Sequence, residues 1–312
     1  LCHNYPNNTI GSSNQSPNHC TLFNKRLPVC VWYFVLGCIK FTKSHQKLLQ
    51  YQIIKKYTFK EKIMTTFVSF NINGLRARPH QLEAIRDILG ADIIGLQETK
   101  VHDALFPVNM VQDLGYHVEF FGQKSHYGVA LASKIVPTFV QKGFPFGHDD
   151  AQRRLIHARY DFDGRSIDVL NGYFPQGENR SHEIKFPMKR EFYADLNRYI
   201  DELQADGREL IIMGDMNISP EDIDVGIGAA NAKRWLAKGT CSFLPEERAW
   251  YQMLMSTGLT DTYRLFYPKS HDEFSWFDYR SRGFEDTPKR GLRIDHILCT
   301  DTLKNDCVGS RH

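Results

Sequence analysis

From residue 64 to the last residue, apolar runs of strand length alternate with helical patterns. Residues 66–74, 92–100, 129–132 and 167–173 read as strands, and residues 81–89 and 189–204 show the period of amphipathic helices. The apolar side chains on one stripe of the second helix are Phe192, Leu196, Tyr199, Ile200 and Leu203. Periodicity alone therefore predicts a mixed α/β fold with its helices on the outside.

Three apolar strands end in polar side chains. The first ends in Asn71, the second runs into Glu98, and 211–213 runs into Gly214 and then Asp215 and Asn217. Side chains two residues apart in an extended segment point the same way, so Asp215 and Asn217 can converge on one target. An Asx turn is the plainer interpretation of Gly-Asp-x-Asn by itself. Three strands that each deliver an oxygen ligand favour a hard cation, magnesium over zinc.

Seven ordered blocks resemble exonuclease III, the bacterial apurinic/apyrimidinic endonuclease family of the endonuclease/exonuclease/phosphatase superfamily. The blocks are residues 69–78, 94–100, 171–177, 214–217, 241–248, 274–281 and 291–295. The resemblance implies a four-layer α/β/β/α sandwich in one catalytic domain, residues 64–312.

The resemblance also implies a hydrolytic site that uses Mg²⁺, with Mn²⁺ as an alternative. The implied metal ligands are Asn71, Glu98, Asp215 and Asn217. Asp215 would orient or deprotonate the attacking water, Asn217 would brace the transition state, and Tyr173 would place its hydroxyl at the scissile phosphate. Asp295 matches a family aspartate that orients a catalytic histidine. A plain salt bridge is the alternative interpretation of Glu98.

Peripheral blocks resemble the DNA-repair branch of the superfamily. Trp276 and Phe277 would line a pocket for a flipped-out abasic sugar, and Arg280 and Gln176 would contact DNA. The expected partner is double-stranded DNA with abasic sites or 3′ ends. The expected reactions are hydrolysis 5′ to abasic sites, 3′-to-5′ exonuclease activity and 3′-end cleaning, by a cytoplasmic bacterial monomer with no membrane association.

Two other functions stay open at this point. One is a phosphatase or phosphodiesterase that acts on a small or lipid substrate, because the catalytic strands do not separate these branches. The other is a DNA-binding remnant without catalysis.

The catalytic histidine of the family pattern is where the sequence departs from it. Ser-Asp-His and a closing apolar strand are expected about 30 residues beyond Asp295, and no such motif follows it. His296 should point to the opposite strand face from Asp295, and His312 should be a frayed terminus. We therefore expect missing closing strands, an open strand edge, weakened activity, and an Asp295 that faces solvent or an unrelated donor.

The first 63 residues differ in composition from the rest. Residues 1–60 hold eight Lys or Arg and no Asp or Glu, so the net charge of +3 combines a leader of +8 with a body of −5. The apolar run at 27–39 is shorter than the roughly 20 residues of a membrane-spanning helix. We expect residues 1–63 to be an unstructured or spurious leader.

Overall basicity is therefore no evidence for DNA binding, and local clusters are better evidence. Candidate basic clusters are Arg76/Arg78, Arg153/Arg154, Lys185/Lys189/Arg190, Lys233/Arg234 and Arg280/Arg282. The seven cysteines are sparse and lack paired spacing, which argues for a reducing compartment.

Overall fold

The structure is a computed structural model that describes residues 64–148, 150–162, 164–278, 280 and 282–312, together with the backbone of 35–40. The chain divides into two compact units, residues 1–31 and 32–312, and the first unit lies outside the described residues. Residues 35–40 of the predicted leader form a strand, so this segment is not unstructured. The rest of the leader, residues 1–34 and 41–63, lies outside the described residues, and its unstructured character stays a prediction.

Twelve strands occur in the described part of the chain: β1 (Val35–Lys40), β2 (Met64–Asn71), β3 (Ile93–Gln97), β4 (His117–Phe121), β5 (Val129–Ser133), β6 (Phe139–Lys142), β7 (Leu155–Phe162), β8 (Arg165–Tyr173), β9 (Glu209–Asp215), β10 (Leu259–Asp261), β11 (Asp295–Thr300) and β12 (Cys307–Arg311). The α-helices among the same residues are α1 (Pro79–Ala84), α2 (Val108–Gln112), α3 (Lys185–Ala205), α4 (Ala229–Lys238), α5 (Pro245–Ser256) and α6 (Thr262–Phe266).

The predicted strands and helices are present with small shifts of boundary. The predicted helix at 189–204 lies within α3, which begins four residues earlier, at Lys185. The predicted helix at 81–89 divides into α1 and a π-helical turn, Ile85–Leu89. Gly90 ends this turn in the left-handed conformation, where a glycine costs little.

The strands form two mixed sheets. Their orders are β12-β1-β2-β3-β5-β4 and β10-β11-β9-β8-β7-β6. β2 and β3 are parallel, as are β8 and β9, and the other neighbours are antiparallel. β2 therefore has a partner on each side, and the expectation of missing closing strands stays a prediction.

Three apolar layers hold the sheets and helices together. The central layer includes Phe67, Ile93, Ile156 and Ile211, which come from strands of both sheets. One outer layer packs the second sheet against α3 and α5, and the other packs the first sheet against α1 and α2. Both strands are buried along their whole length, which explains why β3 and β5 are apolar except for the last residue of each, Gln97 and Ser133. The α/β fold with two packed sheets and outer helices is confirmed.

A buried polar contact joins the sheets within the central layer. Gln97 Nε2 donates to Asn171 Oδ1 at 2.6 Å, and Asn171 Nδ2 donates to the Leu96 and Ala130 carbonyls at 2.9 and 2.8 Å. Gly95 allows this approach, since a Cβ there would lie 2.8 Å from Asn171 Oδ1. The contact fixes the ends of β3 and β8 relative to each other.

No helix in the described part of the chain is long and apolar enough to cross a membrane.

Candidate active site

Sheet register brings the predicted polar residues to adjacent strand ends. In the second sheet, Asp215 lies beside both Tyr173 and Asp295. In the first sheet, Asn71 lies beside Gln97, and Glu98 follows at once. Because β2 contacts β9 and β11 across the central layer, the two groups of strand ends face each other.

The Asn71 amide joins the two groups directly. Its Nδ2 donates to Glu98 Oε1 at 2.9 Å and to Asp215 Oδ2 at 3.0 Å. Its Oδ1 accepts from the Asn73 amide at 3.1 Å. Two carboxylates from different sheets therefore lie within reach of one small group, as the strand-end pattern predicted.

Glu98 is the more solvated of these carboxylates. Its side chain is 18 % exposed, and Oε2 lies 2.7 Å from Lys100 Nζ. Burial alone would raise the pKa of Glu98, but Lys100, Asn71 and the Tyr173 hydroxyl together hold that pKa below its usual value. Glu98 is therefore ionised, and its φ of 53° turns the chain sharply at the end of β3.

Asp215 and Asp295 are buried side by side, and no described basic side chain pairs directly with either one. Burial and the charge of Glu98 raise the pKa of Asp215 to about 7. Burial and the charge of Asp215 raise the pKa of Asp295 well above its usual range. Neighbouring buried carboxylates that repel each other fit a site that a divalent cation would stabilise.

Asp295 is buried, which corrects the expectation that it faces solvent. Its hydrogen-bond partner is Ser275, whose hydroxyl lowers the pKa of Asp295 and also accepts from the Ile294 and Asp295 amides at 3.0 Å. The contact with Ser275 agrees with the other expectation, that Asp295 would face an unrelated donor.

The two histidines that were considered near Asp295 lie elsewhere. His296 is buried on the other side of the strand, where Nε2 donates to the Ile218 carbonyl at 2.9 Å and Nδ1 accepts from Arg293 at 3.0 Å. The His312 ring packs edge-on against Tyr263 at 4.3 Å, so the expectation of a frayed terminus is wrong. Burial lowers the pKa of His312 well below its usual value.

Tyr173 is partly buried beside a guanidinium. Arg154 Nη1 donates to the Tyr173 carbonyl at 3.0 Å, and its Cζ lies 4.9 Å from the Tyr173 ring and 4.0 Å from the Tyr127 ring. Burial and the charge of Glu98 raise the pKa of Tyr173, so its hydroxyl stays protonated at neutral pH. The hydroxyl can therefore donate a hydrogen bond to an anion.

Asn217 follows the strand end in a left-handed conformation, with φ of 53°. Its Nδ2 donates to the Phe174 carbonyl at 3.0 Å, and its backbone amide donates to Asp215 Oδ1 at 3.2 Å. Gly214 permits the close strand approach here, since a Cβ would lie 1.9 Å from the Gly172 carbonyl oxygen. Asn217 is thus fixed next to Asp215 and Tyr173.

The four residues that were predicted to contact DNA differ in their exposure. Gln176 is exposed two residues after Phe174, and Arg280 is exposed. Trp276 and Phe277 are partly buried in separate aromatic contacts, Trp276 with Trp235 and Phe277 with Phe274. Ser275 connects this aromatic region to Asp295.

A cavity of about 160 Å³ opens beside Trp276. Its lining residues are Ile227, Asn231, Arg234, Trp235, Trp276, Asp278 and Arg290. Aromatic and basic side chains in one cavity suit a sugar or base next to phosphate.

Two of the basic clusters do not present the free charges that the sequence predicted. Arg154 is buried between two tyrosines, and Lys189 is buried in an ion pair with Glu247 at 2.6 Å. Arg153 forms an ion pair with Asp103. Lys185 is exposed and forms an ion pair with Glu178, whereas Arg76 and Lys233, from two other clusters, are exposed.

Sequence reasoning missed several residues that hold the site. Lys100 neutralises part of Glu98, Ser275 holds Asp295, and Arg154 packs on Tyr173. Lys100 and Ser275 lie in the quoted blocks, so their positions were visible, but only the fold shows which carboxylate each one contacts.

The donor set fits a magnesium ion. Among the described residues, no three His, Cys, Asp or Glu side chains are placed to hold a metal by themselves. Magnesium typically takes one or two carboxylates and completes its shell with water and phosphate oxygens. Glu98 and Asp215 provide carboxylate oxygens for such an ion, with the Asn71 amide between them, and Asp215 has no direct ion-pair partner among the described residues to neutralise its charge.

Residues 68–312 match the model of the Endonuclease/Exonuclease/phosphatase family. A protein of Haemophilus influenzae called exodeoxyribonuclease III is 57 % identical over 242 residues, which cover 78 % of this chain and 90 % of that protein. A solved structure of an AP endonuclease from Archaeoglobus fulgidus superposes with a TM-score of 0.70 and 32 % identity, covering 79 % of this chain and 90 % of that one. A 3′ phosphatase from Neisseria, bound to a product DNA hairpin, superposes with a TM-score of 0.68 and 34 % identity, covering 77 % and 88 %.

Proposed function

The chain belongs to the endonuclease/exonuclease/phosphatase family, and we propose that it is a magnesium-dependent DNA-repair nuclease that acts in the cytoplasm. Its proposed reactions are cleavage 5′ to abasic sites, 3′-to-5′ exonuclease activity and removal of 3′ blocking groups from duplex DNA. The relatives described above, which include an exodeoxyribonuclease III, an AP endonuclease and a 3′ phosphatase, support this substrate class.

The observation that carries the proposal is the Asn71 amide between Glu98 and Asp215, at 2.9 and 3.0 Å, with Tyr173 and Asn217 beside it. Phosphodiester hydrolysis needs an activated water, a donor to the phosphoryl oxygens and compensation of developing negative charge. These residue types meet each of those needs at one place.

The residues divide the chemistry between them. Asp215, when ionised, accepts a proton from the water that attacks phosphorus, while the bond from phosphorus to the 3′ oxygen of the upstream nucleotide breaks and that oxygen takes a proton from solvent water. Tyr173, protonated at neutral pH, donates to a non-bridging phosphoryl oxygen, and the Asn217 amide braces the same group. Asp295, held by Ser275, keeps a second carboxyl group beside Asp215.

Glu98 and Asp215 would hold the magnesium ion through carboxylate oxygens, and Asn71, whose Nδ2 donates to both carboxylates, would join them through its Oδ1, with Asn217 adjacent. Bound Mg²⁺ supplies charge compensation at the phosphate and orients it. Compensation of the carboxylate charge also lets Asp215 ionise below its metal-free pKa of about 7.

The cavity beside Trp276 is the proposed place for the abasic sugar. Trp276 supplies an aromatic wall, and the lining combines the guanidinium groups of Arg234 and Arg290 with the carboxylate of Asp278. Gln176, Phe277 and Arg280 are proposed to contact the flanking DNA.

The test is cleavage of a 5′-labelled duplex with one abasic-site analogue, with and without Mg²⁺. Glu98→Gln should lose most of the cleavage and keep most of the duplex binding, since phosphate-contacting basic residues supply the affinity. Glu209→Gln, remote at the start of β9, is the matched control with unchanged cleavage. Equal rates for Glu98→Gln and wild type at limiting Mg²⁺ would exclude Glu98 from the metal site.

The same assay separates the alternatives. Hydrolysis of inositide or lipid headgroups that duplex DNA does not inhibit would favour the small-substrate phosphatase. Duplex binding without metal-dependent cleavage would favour a non-catalytic DNA-binding protein.

A further inference from the structure

Lys189 is a fully buried lysine in helix α3, and it contacts no predicted site side chain. Its ammonium group has three donors, and three acceptors surround it. These are the Asn217 carbonyl at 2.8 Å, the Gln176 carbonyl at 3.2 Å and Glu247 Oε1 at 2.6 Å. A buried ammonium is costly unless it is fully paired, and this one is.

Two of the three acceptors belong to chain segments of the site. Asn217 is the proposed brace of the transition state, and its left-handed backbone leaves its carbonyl turned inward, toward Lys189. Gln176 follows Tyr173 and Phe174 at the end of β8. Lys189 therefore connects the segments that follow β8 and β9.

Glu247 extends the connection to a third segment. Its Oε2 accepts from the Ser242 and Leu244 amides, both at 2.8 Å. The Ser242 carbonyl in turn accepts from the Ser219 amide at 2.6 Å, two residues beyond Asn217. The segment 215–219 is thus held from two directions by the Lys189–Glu247 pair.

We propose that Lys189, held by Glu247, is a positioning residue that sets the orientation of the Asn217 peptide and, through it, of the Asn217 side chain toward the phosphate. The inference rests on the proposed nuclease function for its kinetic consequence only. Its structural consequence, the order of residues 215–219, is independent of any activity.

The difficulty in testing a buried ion pair is that removal of one partner also destabilises the fold. Lys189→Met keeps the length of the side chain and removes its donors, but it leaves Glu247 buried without a cation. The double variant Lys189→Met/Glu247→Gln removes both charges, while the amide oxygen of the introduced glutamine can still accept from Ser242 and Leu244. Stability should then recover, and the Asn217 and Gln176 carbonyls should still lack their donor.

The experiment measures amide hydrogen exchange of residues 214–219, the unfolding midpoint, and kcat and KM on the abasic-site duplex. Arg165→Met, at the opposite end of β8 in ion pairs with Glu209 and Asp306, is the destabilised control. We expect the double variant to regain most of the unfolding midpoint, to exchange at least tenfold faster at 214–219, and to lose at least tenfold in kcat with KM changed less than threefold. The control should lose stability and keep kcat and local exchange.

Exchange at 214–219 that returns to the wild-type rate together with the unfolding midpoint would overturn the proposal, since Lys189 would then be structural only. Slow kcat that recovers in the double variant would overturn it equally. If the wild type cleaves no DNA, the proposed function fails, and the exchange comparison alone decides whether Lys189 positions the segment.

Discussion

Two groups of buried aspartates adjoin the start of strand β11, and their pKa values shift in opposite directions. The site aspartates, Asp215 and Asp295, have raised pKa values. The paired aspartates, Asp224 and Asp261, have lowered ones. Burial acts in the same direction on all four, so the difference comes from their partners.

The paired aspartates share a guanidinium that each can reach. Arg293 Nε lies 2.6 Å from Asp224, and its Nη2 lies 2.8 Å from Asp261. Burial alone would raise the pKa values of Asp224 and Asp261, but Arg293 holds both below their usual range. In this group the chain supplies its own counter-charge.

The site aspartates have no direct ion-pair partner among the described residues. Lys189 only partly offsets the raised pKa of Asp215, and the charge of Glu98 raises the pKa of both aspartates. Asp224 and Asp261 are paired with a cation of the chain, whereas Asp215 and Asp295 have no direct cationic partner in the described part of the chain. We infer that the second pair binds a cation from solution. The comparison therefore separates acidic groups that stabilise the fold from acidic groups that are kept for chemistry.

The largest expected effect is on catalysis. Asp215→Asn preserves shape but cannot accept a proton, so cleavage of the abasic-site duplex should slow by about 10²–10⁴-fold. The unfolding temperature without metal should stay the same or rise, because the substitution removes an uncompensated buried charge. Single-turnover cleavage and thermal unfolding of the same preparation check both parts, and near-normal cleavage would assign the base to another group.

The next effect is on stability, in the other group. Arg293→Met leaves Asp261 and the His296 ring without their guanidinium donor and leaves Arg264 as the remaining cation at Asp224, so the free energy of unfolding should fall by about 3–5 kcal/mol. Arg198→Met removes an exposed ion pair with Glu202 and should cost about 0–1 kcal/mol. Denaturant unfolding measures both variants, and equal losses would show that Arg293 does not neutralise this group.

A smaller effect is the pH dependence of stability. The pKa of Asp215 is raised in the folded protein, so the metal-free protein binds more protons than the unfolded chain between about pH 4 and 7. Its stability should fall as pH rises through this window, and Asp215→Asn should flatten that part of the profile.

The paired aspartates should act at lower pH and with the opposite sign. Their pKa values are lowered, so their contribution is present above about pH 4 and is lost as the pH falls below that value. Denaturant midpoints between pH 3 and 8 test both signs, and a profile that is flat from pH 4 to 7 in the metal-free wild type would contradict the raised pKa of Asp215.

The sequence predicted the strand-end polar residues and the α/β class because both depend on local periodicity and position. Asn71, Glu98 and Asp215 each follow an apolar strand, and parallel or adjacent strands bring such ends together. The resemblance to a family also predicted the four-layer sandwich and placed Tyr173 in the same site as these three residues.

The electrostatics of the site could not be predicted in the same way. The local sequence does not show that Lys189 is buried and paired while Lys185, four residues earlier on the same helix, is exposed. The aspartates that pair with Arg293 are far from it in sequence, since Asp224 lies 69 positions before it and Asp261 lies 32 positions before it. Such pairings are properties of the tertiary fold, as is the burial of Asp295.

The central claim is that the carboxylates Glu98 and Asp215 form a site for one divalent cation, and direct counting of bound metal tests it without substrate. Mn²⁺ serves as the probe, since free Mn²⁺ gives an electron paramagnetic resonance signal that diminishes when the ion binds. The account predicts one Mn²⁺ per chain in the wild type, a loss of affinity of at least tenfold in Glu98→Gln, and unchanged binding in Glu209→Gln. Equal Mn²⁺ affinity in wild type and Glu98→Gln, or no binding in the wild type, would contradict it.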